Sequence, residues 1–135
     1  MAMKFSEDVR NARLDAIQEI VGPSPILRFW SGSTPANTSA PDAGTKLVEM
    51  NLPANWMSPA ANASKQKAGV WKTLSALATG VAMYYRIYSS DDDEPRVQGT
   101  ITATGDGGDM TVASTDVFVG QEVVVTAFSI NEGNG

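Results

Sequence analysis

The sequence contains neither cysteine nor histidine. Without cysteine there is no disulfide, no thiolate nucleophile and no zinc–thiolate site. Without histidine the chain lacks the commonest general base and the commonest transition-metal ligand. No apolar run approaches the ~20 residues that a membrane-spanning helix needs. We therefore expect no cofactor and no catalytic constellation, and we expect that the protein is not an enzyme.

Positive charge is also scarce, because 10 Lys and Arg stand against 15 Asp and Glu, which gives a net charge of −5. Non-specific binding to nucleic acid depends on basic side chains that neutralise phosphates. Attachment to an anionic membrane surface requires a basic cluster as well. The first residues do not show the pattern of a basic segment followed by an apolar one. We expect a soluble protein that is made in the cytoplasm and binds neither nucleic acid nor membrane.

The N-terminal segment has the pattern of an amphipathic helix over residues 6–21. Ser6 suits the N-cap position, and Gly22 followed by Pro23 is a strong stop signal. On a helical wheel the apolar positions cover an arc of about 200°. These positions are Val9, Ala12, Leu14, Ala16, Ile17, Ile20 and Val21, and Arg10 and Arg13 fall inside the same arc.

After the helix the apolar period changes to two, which is typical of β-strands. Strands are predicted at 26–31, 46–52, 69–73, 80–88, 96–104, 110–112 and 122–130, with irregular segments at 32–44 and 53–67. About seven short strands with regularly spaced turns predict a mainly β fold, an antiparallel β-sandwich of Ig-like or jelly-roll-like type with an N-terminal amphipathic α-helix. We expect the chain to consist of a helical arm at 1–22, used for assembly or docking, and a sandwich domain at 23–135.

Two polar clusters are candidate ligand sites. The acidic run 91–94 offers oxygen ligands for calcium, but it lacks the spacing of an EF-hand loop, and a solvated hairpin turn is the favoured interpretation. The sequence GDGGD at 105–109 resembles a phosphate-binding loop, but no helix or lysine follows it. A hairpin connection is favoured there too.

An aromatic cluster is the third candidate. Tyr84 and Tyr88 lie on one face of the predicted strand 80–88, with Arg86 between them. If exposed, this set would form a protein-contact or sugar-stacking patch, because such residues are enriched in contacts. The favoured alternative is that the face belongs to the core or is covered by another part of the chain.

Several stretches resemble a family of small virion structural proteins of tailed double-stranded DNA bacteriophages and prophages. The resemblance is carried by KFSEDVRNARLDAIQEIVG, ILRFWSGSTPAN, LPANWMSPA, YYRIYSS, TGDGGDMTV and VGQEVVVTAFSINEGNG, and it covers nearly the whole chain. It implies a location in the virion after synthesis in the host cytoplasm. It also implies contacts with other virion proteins of the head, neck or tail, and a homo-oligomer.

The resulting hypothesis is a non-enzymatic component of the phage particle, acting as capsid decoration, neck or collar protein, or tail accessory protein. Its alternatives are a tail-associated adhesion or carbohydrate-binding β-sandwich module, and an unrelated β-domain or enzyme of another type. The predicted interface residues are Val9, Arg10, Arg13, Leu14, Ile17, Ile20, Val21, Tyr84, Arg86 and Tyr88.

Overall fold

The computed structural model describes residues 3–106 and 109–131. Within these ranges one helix is followed by ten strands. The helix, α1, spans Glu7–Val21. The strands are β1 Ile26–Trp30, β2 Lys46–Asn51, β3 Ser64–Gln66, β4 Lys72–Thr73, β5 Gly80–Val81, β6 Tyr84–Tyr88, β7 Pro95–Ala103, β8 Met110–Val112, β9 Asp116–Val117 and β10 Val123–Asn131.

Eight strands form one sheet in the order β2-β1-β6-β7-β8-β10-β3, with β4 also paired to β10. Strands β5 and β9 form a separate two-stranded sheet. All pairs are antiparallel except β7 and β8, which run parallel. The predicted hairpin at 105–109 is therefore wrong, because a hairpin would make β7 and β8 antiparallel. Residues 107–108 of that segment lie outside the described residues.

The large sheet folds back on itself, so that β6 faces β10 across an aromatic core. The rings of Tyr85 and Phe128 meet edge to face with centroids 5.6 Å apart. Trp71 lies 5.4 Å from Phe128 and 6.0 Å from Trp56, measured between ring centroids. These offset and edge-on arrangements are the favoured ones for aromatic pairs. The predicted fold class, an antiparallel β-sandwich with an N-terminal helix, is confirmed.

The boundaries differ from the prediction most clearly at two places. The strand predicted over 80–88 is interrupted at Ala82 and Met83. The backbone turns there because Val81 pairs with Asp116 of the small sheet, whereas Tyr84 pairs with Trp30 of the large one. Strand β3 lies inside the predicted irregular segment 53–67, where no apolar alternation marks it.

Helix α1 is packed into the sandwich beside a gap in the sheet. Strand β8 has three residues, whereas the strands on either side of it, β7 and β10, have nine residues each. Because β8 is too short to bridge their full length, the first residues of β7 and the last residues of β10 are separated. Ile17 of the helix reaches this gap and packs on the core together with Val97 and Ile130. Leu14 and Val21 are buried. The breadth of the helix's apolar arc thus follows in part from its position over the open part of its own sheet.

Candidate functional site

Five large apolar side chains are exposed at one end of the strands. Their exposed fractions are 71% for Leu74, 52% for Leu77, 46% for Val81, 60% for Phe118 and 65% for Val119. We call this set the apolar end patch. Single exposed apolar residues are common on soluble proteins, but a group of five on adjoining segments is characteristic of an interaction surface.

The backbone holds the two segments of the apolar end patch side by side. The amide of Ala76 donates to the carbonyl of Gln121 at 2.8 Å, and the amide of Gly120 donates to the carbonyl of Ala76 at 2.9 Å. The amide of Val119 donates to the hydroxyl of Thr79 at 3.0 Å. The pairing of β5 with β9 joins the same two segments by further backbone contacts. The five exposed side chains are therefore displayed by one hydrogen-bonded unit.

The apolar end patch lies at the opposite end of the sandwich from the helix. Strand β6 begins three residues after the patch residue Val81. It ends next to Ser89, whose hydroxyl donates to the carbonyl of Val21, the last residue of α1, at 2.9 Å. Strand β10 likewise starts beside the patch and ends at Asn131, directly after Ile130, which packs on the same core as Ile17 of the helix. The molecule thus has two chemically different ends.

Charges of both signs border the apolar end patch. Lys72 is exposed on β4, and Asp116 and Glu122 are exposed on the neighbouring segments. None of the three forms an ion pair with another part of the described chain. They remain available to charges on another molecule.

The structure divides the predicted helical interface residues into two groups. Leu14 and Val21 are buried, and Ile17 is partly buried against the core, so these three contact the chain's own sandwich. Ile20 and Val9 face outward with exposed fractions of 71% and 43%. Of the two arginines, Arg13 is exposed and places its guanidinium 4.9 Å above the ring of Phe5, whereas Arg10 is half-buried.

The prediction that Tyr84, Arg86 and Tyr88 lie on an exposed interface is corrected by the structure. All three are at most 1% exposed. The segment 32–44 covers them, as the alternative interpretation anticipated. The guanidinium of Arg86 donates to a carboxylate oxygen of Asp42 at 2.7 Å and to the side chain of Gln98 at 3.0 Å. These side chains fix the covering segment and present no free face.

Two backbone carbonyls and both tyrosine hydroxyls complete this polar cluster. Arg86 donates to the carbonyls of Asn37 at 3.1 Å and Ala40 at 2.9 Å. The hydroxyl of Tyr88 donates to Asp42 at 2.6 Å, and that of Tyr84 donates to the carbonyl of Ala43 at 2.8 Å. Burial and the hydrogen bond to Asp42 raise the pKa of Tyr88 above its ordinary value. Every guanidinium nitrogen of Arg86 has a hydrogen-bond partner. These hydrogen bonds offset the desolvation cost of burying its charge.

The faces of the same tyrosine rings are occupied as well. The guanidinium of Arg28 lies 4.4 Å above the ring of Tyr88. Trp30 stacks on Tyr84 with centroids 6.4 Å apart and an interplanar angle of 10°. A sugar ring would have to displace these neighbours in order to stack on either tyrosine.

A second ion pair, formed by a buried lysine, attaches the helix, and no sequence pattern predicted it. Lys65 of β3 is 1% exposed in its side chain, and its ammonium lies 2.6 Å from a carboxylate oxygen of Asp15. The ammonium also donates to the carbonyl of Ser58 at 2.9 Å. The hydrogen bond from Lys65 holds the pKa of Asp15 below its ordinary value. A lysine in an irregular polar segment is usually solvated, so no pattern distinguishes this one.

The acidic run 91–94 forms the turn between β6 and β7, as the favoured interpretation predicted. Asp92 accepts from Arg96 at 2.6 Å, and Asp93 pairs with Arg28 at 3.0 Å. Two of the four acidic side chains in the run are thus engaged in ion pairs with arginines of β7 and β1. Among the described residues, acidic side chains do not gather in groups of three or more that could hold a metal ion.

No protein-family model matches the sequence, and no curated protein or solved structure is significantly similar to it. The helix that the described ranges contain is neither long enough nor apolar enough to cross a membrane.

Proposed function

We propose that the protein is a non-enzymatic structural component of a tailed bacteriophage virion, acting as capsid decoration, neck or collar protein, or tail accessory protein. The observation that carries this proposal is the apolar end patch, which is a surface suited to being covered by another protein. The resemblance of the sequence segments to small virion proteins supplies the context of the particle.

Two physical features of the chain support an assembly role. The patch sits on segments held by hydrogen bonds to the sandwich, so little conformational entropy would be lost when it is buried. The covering segment 32–44 is fixed to the body by the buried Arg86. A rigid body with a preformed apolar surface is what repeated packing in a symmetric particle requires.

The outward side of the helix provides a second contact surface in this proposal. Ile20 and Val9 are exposed there, whereas the rest of the apolar arc packs largely inward. The docking role of the helix is therefore proposed for Val9 and Ile20, together with Arg13, which is exposed as well. The inward residues serve the fold.

The alternative of a carbohydrate-binding module receives less support. It depended on an exposed Tyr84, Arg86 and Tyr88, and these side chains are buried. A glycan array with the intact protein would separate the two functions. Binding of one glycan class that survives in Leu74→Glu would favour the module.

The direct test is the presence of the protein in purified particles. Particles from the strain that encodes the chain are banded on a density gradient, dissociated and probed with an antibody against the protein. We expect the protein to band with the major capsid protein at a fixed ratio. Its presence only in the soluble lysate would contradict the proposal. A soluble host protein of similar size serves as the control for carry-over.

A further inference from the structure

Self-association is the use of the apolar end patch that the structure supports best. We infer that a second copy of this chain covers the patch, so that two copies pair end to end about a two-fold axis. The inference rests on the proposed assembly function, and it specifies the surface and the partner. It is argued from area, from charge and from the strand edges at this end.

The size of the patch matches one half of a small stable interface. Five side chains exposed by about half or more present on the order of 500 Å² of apolar surface, which is in the upper range of the largest patch on a monomer. A stable interface takes about 800 Å² from each partner, of which the centre is apolar and the rim polar. The patch with its charged border therefore has the area and the composition of a dimer face.

The charges around the patch are complementary to a copy of themselves. In a two-fold interface, residue i of one copy meets residue j of the other, and residue j meets residue i. Lys72 supplies a positive group, and Asp116 and Glu122 supply negative ones. The positive side chain on the border of one copy can thus lie opposite a negative side chain on the border of the other copy. A strongly basic or strongly acidic partner would meet like charge somewhere on this border.

Strand edges at this end also favour a second copy. β5 and β9 pair only with each other among the described strands, so each has an outer edge without a strand neighbour. A strand edge without a neighbour can pair with another extended segment. The patch residue Val81 lies on β5, and the patch residue Phe118 follows directly after β9. Apolar contact and edge pairing would therefore occur at the same place.

The test compares two substitutions at sites of equal exposure. Leu74 in the patch and Ile20 on the helix are both 71% exposed. The full chain, Leu74→Glu and Ile20→Glu are run by sedimentation velocity up to about 100 µM, a range that covers weak and strong dimers. We expect a dimer for the full chain and for Ile20→Glu. For Leu74→Glu we expect at least a tenfold higher dissociation constant. A chain that stays monomeric throughout, or a dimer that Ile20→Glu weakens and Leu74→Glu does not, would overturn the inference.

Two further measurements cover the case in which Leu74→Glu fails to fold. The first is amide hydrogen exchange of the unmodified chain at low and high concentration, where we expect new protection confined to 74–81 and 116–121. Protection at the helix instead would contradict the inference. The second is a charge exchange, in which Lys72→Glu weakens the dimer and the added Glu122→Lys restores it. Failure of the double variant to recover would contradict pairing of these rims.

The particle experiment is independent of these results. A dimer through the patch, with no protein in purified particles, would leave this inference standing and remove the virion role. A monomer that is nevertheless found in particles would remove this inference and leave the virion role standing.

Discussion

The ammonium of Lys65 and the carboxylate of Asp15 link the helix to the sandwich at a distance of 2.6 Å. The lysine is buried, whereas the side chain of the aspartate is 52% exposed. Loss of the aspartate would thus leave a buried charge without its partner, whereas loss of the lysine would leave a carboxylate that water can solvate.

This asymmetry predicts different costs for the two single substitutions. We expect Asp15→Ala to lower the free energy of unfolding by about 2 kcal/mol, less than for a fully buried pair because the aspartate is half exposed. Lys65→Met should cost less, since the methionine fills the buried site without a charge. Chemical denaturation measures both, with Glu19→Ala on the exposed side of the helix as control. Equal costs for the two variants would contradict the asymmetry.

Acid should weaken the same link. The pKa of Asp15 is held below its ordinary value of 3.8 by Lys65, and that of Glu49 below its ordinary value of 4.5 by Arg28. A carboxyl whose pKa is depressed by folding contributes stability that is present above the ordinary pKa. That contribution is lost as the pH falls through the folded-state pKa. We expect the free energy of unfolding to decrease below about pH 4.5, and to decrease less in Asp15→Ala. An identical pH profile in both proteins would refute the assignment.

The buried Arg86 should be sensitive even to a conservative exchange. Lysine has one ammonium and cannot reproduce the planar set of bonds to Asp42, Gln98 and the two loop carbonyls. We expect Arg86→Lys to cost about 3 kcal/mol of unfolding free energy and to make the segment 32–44 susceptible to protease. The matched control is Arg96→Lys, which alters a half-exposed ion pair and should cost under about 1 kcal/mol. Protease resistance in Arg86→Lys would show that the segment is fixed by other contacts.

Gly44 should not tolerate a side chain. A Cβ atom at this position would lie 1.8 Å from the carbonyl oxygen of Ser31, and the backbone has φ of +84°. Gly105 has φ of +94° with no atom within 4 Å of such a Cβ, so it isolates the cost of the conformation. We expect Gly105→Ala to cost about 1 kcal/mol. Gly44→Ala should cost several times more, as measured by thermal unfolding. Similar melting temperatures for the two variants would argue against the close approach.

Removal of the helix should prevent folding. Leu14→Ala alone is expected to cost about 2–5 kcal/mol, a large part of the 5–15 kcal/mol that stabilises a typical domain. Val9→Ala, at a half-exposed position on the same helix, should change stability by under about 1 kcal/mol. Circular dichroism of a chain without residues 1–22 provides the test. A folded truncated chain would show that the helix serves only as a docking arm.

The sequence was most informative where local chemistry determines local structure. Ser6 and Gly22 mark the two ends of the helix, and the structure places the helix between them. Alternation of apolar residues located most strands. It could not show the parallel pairing of β7 with β8, because strand direction depends on contacts distant in the chain.

The candidate surface was harder to predict, since exposure is a property of the folded chain. Tyr84 and Tyr88 have the composition of a contact surface, yet the segment 32–44 covers them. Leu74 and Phe118 have the composition of a core, yet they are exposed. The alternation of a strand identifies its two faces, but it does not say which of them another segment will cover.

The position of the helix at one end and the apolar end patch at the other limits how copies can be arranged. Because only one end carries the patch, pairing through it satisfies both copies at once and cannot propagate into a filament. The resulting pair would have its two helices at its far extremities, facing in opposite directions. Such a pair would be a short bivalent connector, able to join two identical sites on the proposed particle.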